Sequence, residues 1–348
     1  MRAIPVVDAA QAAQWDERAR STAKIPSRVL MESAGRAAAT VLAREFGRAL
    51  GHGVLVAAGH GNNGGDGWVI ARALAAAGVQ VWAVETAGKR APDCAANRAL
   101  ALASGVTPLD ADEHWPDCGV LVDALLGTGA GGAPRGAVRD LARRLNTHGA
   151  PIAAVDGPTG LDLSTGEAYD PVRAALTVTF GGLRRGHLLG REWCGKIVVV
   201  DIGFPPADPA WPVFVDDGRA RASLPGFAVT MHKGDRGRVL VIGGDHGMAG
   251  AALHAARAAL EAGAGLAKLA AHPATVQAAQ TNSPDVLTVP TALGPDLEPA
   301  LVAAIGWADA IVLGPGLGRG DDRTAFVGAV LDRATAPVVI DADALQAG

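Results

Sequence analysis

Asn62, Asn63 and Asp66 stand within one glycine-rich run, Gly59-His60-Gly61-Asn62-Asn63-Gly64-Gly65-Asp66-Gly67. A bare turn needs one or two Asx residues; three together suit a cation or a polyhydroxylated ligand. Glycines 59, 61 and 64 fit G-x-G-x-x-G, and Glu85 ends the next apolar run, where a dinucleotide fingerprint places a carboxylate for ribose hydroxyls. Taken alone, that fingerprint also fits a tight strand-to-helix turn. No Gly-Lys-Ser/Thr follows, which excludes a P-loop.

Two more polar loops close apolar runs. One is Asp123-Ala-Leu-Leu-Gly127-Thr128-Gly129-Ala130-Gly131-Gly132-Ala133; the other is Asp156-Gly-Pro-Thr159-Gly160. Ligands of open α/β sheets bind beyond the carboxyl ends of the strands, so the three loops are expected to share one crevice. They offer amide, carboxylate and hydroxyl oxygens without His or Cys. That donor set suits a large monovalent cation better than zinc. Asp123, a carboxylate at a strand end beside glycines, is the leading catalytic candidate; a cation ligand and a turn residue are its other readings. His60, His232 and His246 lie in glycine loops with no Ser or Cys nucleophile beside them, the pattern of solvated loop histidines.

The elements that must position these loops follow from periodicity. Helices are expected over 8–21, 27–49, 68–77, 91–104 and 135–148, with Ser27 capping the second. Strands are expected over 54–58, 79–84, 120–125, 152–155, 176–180 and 197–202. Their continuous apolar character suits a parallel sheet covered on both faces. Phe204–Pro212 holds four prolines in nine residues, a stiff connector. A second series follows, with strands over 239–242, 266–270, 286–289, 311–313 and 338–340 and helices over 249–262, 295–306 and 322–335. The fold class is therefore α/β, with a Rossmann-like three-layer αβα domain over 1–203, a connector over 204–230 and a further αβα domain over 231–348.

A formal net charge of −4 without a Lys/Arg cluster argues against a nucleic-acid partner. Three well-separated cysteines lack zinc or disulfide spacing and suit a reducing cytoplasm. The first residues lack a signal-peptide core, and no apolar stretch is long enough for a bilayer. A cytoplasmic location without a membrane partner is expected.

At these residues the chain resembles a known family. Gly61-Asn-Asn-Gly-Gly-Asp-Gly67, Asp123-Ala-Leu-Leu-Gly-Thr-Gly129, Val155-Asp-Gly-Pro-Thr-Gly160 and Val178-Thr-Phe-Gly-Gly182 resemble the YjeF N-terminal domain, the NAD(P)H-hydrate epimerase, as does Pro26–Ala38. The resemblance implies that Asn62, Asn63, Gly64, Gly65, Asp66, the Gly127–Ala133 loop and Asp156 hold the hydrate, NADHX or NADPHX. It implies a potassium site of Asn63, Asp123 and Thr159, the last standing where the family usually has Ser, and a homodimer as a possible assembly. Residues 232–271, Gly314–Gly318 and Val339–Leu345 resemble the start of the ADP/ATP-dependent NAD(P)H-hydrate dehydratase, a ribokinase-like domain. Ala251 and Gly316 match its substrate positions. Together the halves resemble the bifunctional NAD(P)H-hydrate repair enzymes.

The family's dehydratase continues past Asp341-Ala-Asp-Ala-Leu345 through a His-Pro-Gly-Glu stretch, a Lys-rich nucleotide loop and a Gly-Gly-x-Gly-Asp motif. None of these occurs in the 348 residues. The expectation is a partial ribokinase-like domain without dehydration, ADP or ATP being needed only by a complete one. Two further readings stay open: an NAD-dependent dehydrogenase, for Glu85 and the G-x-G-x-x-G, and a non-catalytic module that binds a nucleotide or a protein.

Overall fold

The apolar runs Val54–Ala58, Val120–Ala124, Ile152–Val155 and Leu176–Phe180 are buried throughout and form adjacent strands at the centre of a parallel sheet. The computed structural model describes residues 3–224, 226 and 228–346 and divides into two units, Met1–Leu224 and Pro225–Gly348. The first unit runs β1 (Ile4–Val7), α1 (Ala9–Ser21), α2 (Ser27–Phe46), β2 (Val54–Ala58), α3 (Asn62–Ala76), β3 (Val81–Glu85), α4 (Pro92–Ala103), β4 (Thr107–Pro108) and β5 (Val120–Ala124). It continues with α5 (Gly136–His148), β6 (Ile152–Val155), β7 (Leu176–Phe180), β8 (Leu183–Arg184), α6 (Arg185–Leu189), α7 (Arg191–Cys194), β9 (Lys196–Val200), β10 (Val213–Phe214) and α8 (Asp217–Ser223).

Seven strands make the main sheet, in the order β4-β3-β2-β5-β6-β7-β9, and every pairing in it is parallel. Val54, Val56 and Ala58 pack under α2, α3 and α4, whereas Leu55 and Ala57 face α5 through Leu141 and Leu145. Both faces are thus dry, which is why the strands do not alternate. The chain leads away from β2 through β3 on one side, and from β5 through β6 on the other. The β2/β5 junction is therefore the switch point at which such sheets bind ligands.

Three local expectations are corrected. Ser27 does not cap α2: no side chain does so, and its hydroxyl donates to Asp93. Helix α3 starts at Asn62 rather than at 68. Glycines weaken helices, but here they allow close packing: a Cβ on Gly64 would lie 1.8 Å from the Gly59 carbonyl oxygen and one on Gly67 2.5 Å from Ala124 Cβ. The proline-rich stretch after 203 is more than a stiff connector, because it packs on the first unit. Phe204 stacks on Trp15 at 4.9 Å, Trp211 meets it edge-on at 5.5 Å, and the Trp15 indole N–H donates to the Pro205 carbonyl at 2.9 Å. Strand β10 then pairs antiparallel with β1.

The second unit runs β11 (Arg238–Ile242), α9 (Ala249–Glu261), β12 (Leu266–Ala271), α10 (Pro273–Asn282), β13 (Leu287–Pro290), α11 (Pro299–Trp307), β14 (Ala310–Leu313), α12 (Asp321–Arg333) and β15 (Val338–Ile340). Its sheet is parallel, in the order β13-β12-β11-β14-β15. Among the described residues no helix is long and apolar enough to cross a membrane.

Candidate functional site

A cavity of about 540 Å³ opens at the switch point of the first unit. Its wall includes Asn62, Asn63 and Asp66 from the start of α3, Gly127–Ala130 after β5, and Asp156 after β6. The structure thus brings the three polar loops to one crevice. The first N–H groups of α3 lack helical partners and carry the positive end of its dipole, a setting for phosphate oxygens. Close backbone approach makes this possible: a Cβ on Gly59 would lie 2.0 Å from the Leu125 carbonyl oxygen.

Asp123 lies beneath this floor. It is 0% exposed and forms no part of the cavity wall. Its Oδ1 accepts from the Thr159 hydroxyl at 2.8 Å and the Leu125 N–H at 3.2 Å; its Oδ2 accepts from the Thr159 N–H at 2.8 Å. Burial pushes its pKa up to about 6 against those donors, which pull it down. A carboxylate so enclosed does not reach a ligand in the cavity, so its placement does not support direct proton transfer by Asp123. Beside it, Asn63 Nδ2 donates to the Leu126 carbonyl at 2.9 Å, and the Leu126 N–H donates to Thr159 Oγ1 at 3.1 Å. That leaves Asn63 Oδ1 as a buried acceptor without a hydrogen-bond partner. An orphaned amide oxygen, a buried carboxylate and a hydroxyl fit a monovalent cation held by oxygen alone. With no His or Cys in it, this donor set differs from those that bind zinc.

Asp156 faces the cavity and is tied down on every side. Its Oδ2 accepts from the Thr128 N–H at 2.8 Å and from the Thr128 hydroxyl; its Oδ1 accepts from Arg184 Nη2 at 3.1 Å and from Thr179 Oγ1 at 3.3 Å. Burial pushes its carboxyl up, but Arg184 and Thr128 outweigh it and hold the pKa below the ordinary value. Asp66 goes the other way. Burial, then the nearby charges of Asp156 and Asp16, raise its carboxyl well above the usual range. The cavity therefore carries two carboxyl groups with pKa values driven apart, which is how acid and ion roles are separated in active sites.

Other expectations resolve differently. Glu85 ends β3 but is taken up by Arg90 and Arg98, each with a nitrogen 2.8 Å from Oε1. It is not free for a ribose, which removes the main support for a dehydrogenase. Gly64 and Gly65 are buried, Gly131, Gly132 and Ala133 are exposed, and all five lie outside the wall. Ala251 and Gly316 belong to the second unit. There Gly316 takes a left-handed φ of +60° and its carbonyl accepts from the Asp245 N–H at 2.7 Å. Arg184, Asp16 and Phe204 line the cavity without being singled out by the sequence. Arg184 lies two residues after the Phe180-Gly-Gly182 turn, which is the one signal that points to it.

The fold and the crevice define a doubly wound α/β protein with a polar cavity at its switch point. Residues 27–186 match the model of the family described as YjeF-related protein N-terminus, and residues 239–347 match that of NAD(P)H-hydrate dehydratase. A protein of Pyrobaculum aerophilum named bifunctional NAD(P)H-hydrate repair enzyme Nnr is 38% identical over 93% of this chain and 67% of its own length. Its namesake from Moorella thermoacetica is 36% identical, over 98% and 69%; that of Escherichia coli is 36% identical, over 84% and 57%. The crystal structure of the yeast protein ynu0 superposes with a TM-score of 0.50 and 26% identity, covering 58% of this chain and 90% of the yeast chain. The chain belongs to the bifunctional NAD(P)H-hydrate repair enzyme family. The dehydratase match extends across most of the second unit, so the expected loss of dehydration finds no support in these comparisons.

Proposed function

We propose that the first unit interconverts the (6R) and (6S) hydrates of NADH and NADPH. The observation that carries this reading is the joining of Asn62, Asn63 and Asp66 with Gly127–Ala130 and Asp156 around one cavity, in a chain of this family. The α3 N-terminus takes the pyrophosphate, and the loop after β5 covers the hydrated ring.

The hydrated ring carbon bears a hydroxyl and adjoins the ring nitrogen. Protonated Asp66 gives its proton to that hydroxyl, water leaves, and the nitrogen lone pair closes a planar C=N cation. Asp156, kept ionised, offsets the cation's charge. Water adds to either face, and its proton returns to Asp66. Asn63, Asp123 and Thr159 would hold a potassium ion, which would supply a fixed positive charge. Asp123 is thus a cation ligand and Asp66 the proton carrier.

For the second unit the proposal is dehydration of the (6S) hydrate with ADP or ATP, with Ala251 and Gly316 near the substrate. It rests on the family match alone. An HPLC time course on (6R)-NADHX with potassium, with and without nucleotide, tests both. The expected result is conversion to the (6S) form without nucleotide and NADH with it. An unchanged R/S ratio beyond the buffer rate rejects the epimerase; no NADH with either nucleotide rejects the dehydratase.

A further inference from the structure

Asp156 holds a left-handed φ of +64°, a conformation that costs a non-glycine residue energy unless its surroundings enforce it. Two residues one turn apart enforce it. Arg184 is buried, and all three of its guanidinium nitrogens donate: Nε to Thr128 Oγ1 at 2.8 Å, Nη2 to Asp156 Oδ1 at 3.1 Å, and Nη1 to the Gly182 carbonyl at 3.0 Å and the Phe180 carbonyl at 3.4 Å. Its backbone N–H donates to His187 Nδ1 at 3.0 Å, so the ring proton sits on Nε2 and is donated to the Asp156 carbonyl at 2.7 Å. The path from the Asp156 carboxylate through Arg184 and His187 to the Asp156 carbonyl is a closed ring. Thr128, whose hydroxyl lies between Arg184 and Asp156, joins the ring to the loop after β5.

We infer that Arg184 and His187 are positioning residues for epimerisation: a two-point clamp that sets Asp156 and, through Thr128, orders the loop from Gly127 to Ala133 before substrate arrives. This rests on the epimerase reading above. Both Asp156 and Thr128 face the cavity, so what the clamp fixes is the substrate wall itself. A lysine cannot replace the arginine, because one ammonium lacks the planar fork that meets Thr128, Asp156 and Gly182 together.

The test uses the whole chain as wild type, R184K, T128V, the double variant, H187Q and H187L. Epimerisation of (6R)-NADHX, melting temperature and amide exchange over 127–133 are measured on each. Misplacing a substrate wall by an ångström costs up to about a hundredfold; R184K and T128V should each raise KM about tenfold or more while kcat changes far less. The double variant should be no worse than the weaker single one, because both break one linkage. Loop amides should exchange faster while β2 and β5 amides do not. H187Q, which keeps one acceptor and one donor, should recover most of what H187L loses. Unchanged KM and loop exchange in R184K overturn the clamp; so does a fall in kcat and KM performance that tracks a global loss of melting temperature. If the wild type does not epimerise, the proposed function fails, and exchange at 127–133 in R184K and T128V decides the clamp alone.

Discussion

Thr159 grips Asp123 twice, through its hydroxyl on Oδ1 and its N–H on Oδ2, each at 2.8 Å. The same hydroxyl accepts from the Leu126 N–H, so one side chain ties two of the three polar loops. Thr159→Ser keeps all of this and should leave potassium activation intact. Thr159→Val removes one of the two donors to Asp123 Oδ1 and the acceptor of the Leu126 N–H, and should cost about 1–3 kcal/mol together with potassium dependence. Chemical denaturation and a potassium titration of the epimerisation rate check both.

Asp66 and Asp123 should separate by phenotype. Asp66→Asn removes the proton carrier and should lower kcat by about a hundredfold or more at any potassium concentration. Asp123→Asn should lose potassium activation. Equal, potassium-independent losses in both variants would return the proton to Asp123.

His187 makes stability depend on pH. Burial pushes its pKa down to about 4, below the unfolded value near 6.5. The unfolded chain therefore binds more protons between those limits, and stability falls as pH drops from about 6.5 to about 4. The difference corresponds to about 3 kcal/mol when complete. His187→Gln should flatten that part of the profile; melting curves at pH 7, 5.5 and 4 for both chains give the comparison.

Gly64, buried in the first turn of α3, and Gly129, in the cavity wall, should respond differently to alanine. A Cβ at Gly64 meets the Gly59 backbone at 1.8 Å, whereas one at Gly129 meets nothing within 4 Å. Gly64→Ala should cost about 1–3 kcal/mol or more and lower epimerisation. Gly129→Ala should stay within about 0.5 kcal/mol of wild type. Denaturation midpoints decide it.

The sheet was legible because buried parallel strands are continuous apolar runs, and Val54–Ala58 and Leu176–Phe180 match them to the residue. The crevice was legible because Asn62, Asn63, Asp123 and Asp156 end strands beside glycines. Depth was not: nothing in Asp123-Ala-Leu-Leu says that the carboxylate turns under the floor. The start of α3 was hidden because Gly64, Gly65 and Gly67 read as a loop by propensity, while their role is to let the helix lie against Gly59, Met31 and Ala124. Helix α10 was missed because Pro273–Asn282 has little amphipathic contrast. Arg184 and His187 look like surface residues beside Arg185 until the turn after Phe180 carries them back to Asp156.

The packing of Phe204 and Trp211 on Trp15 bears on how the two units can be separated. A first half ending at residue 203 would be cut inside its own structure: it would lack Phe204, a wall of the cavity, and both aromatic partners of Trp15. A half ending at Leu224 keeps them, along with the β10 edge that pairs with β1. Gene dissection, fusion or recombination of the first unit should respect the later boundary, because the proline-rich stretch serves this half as a closing strap.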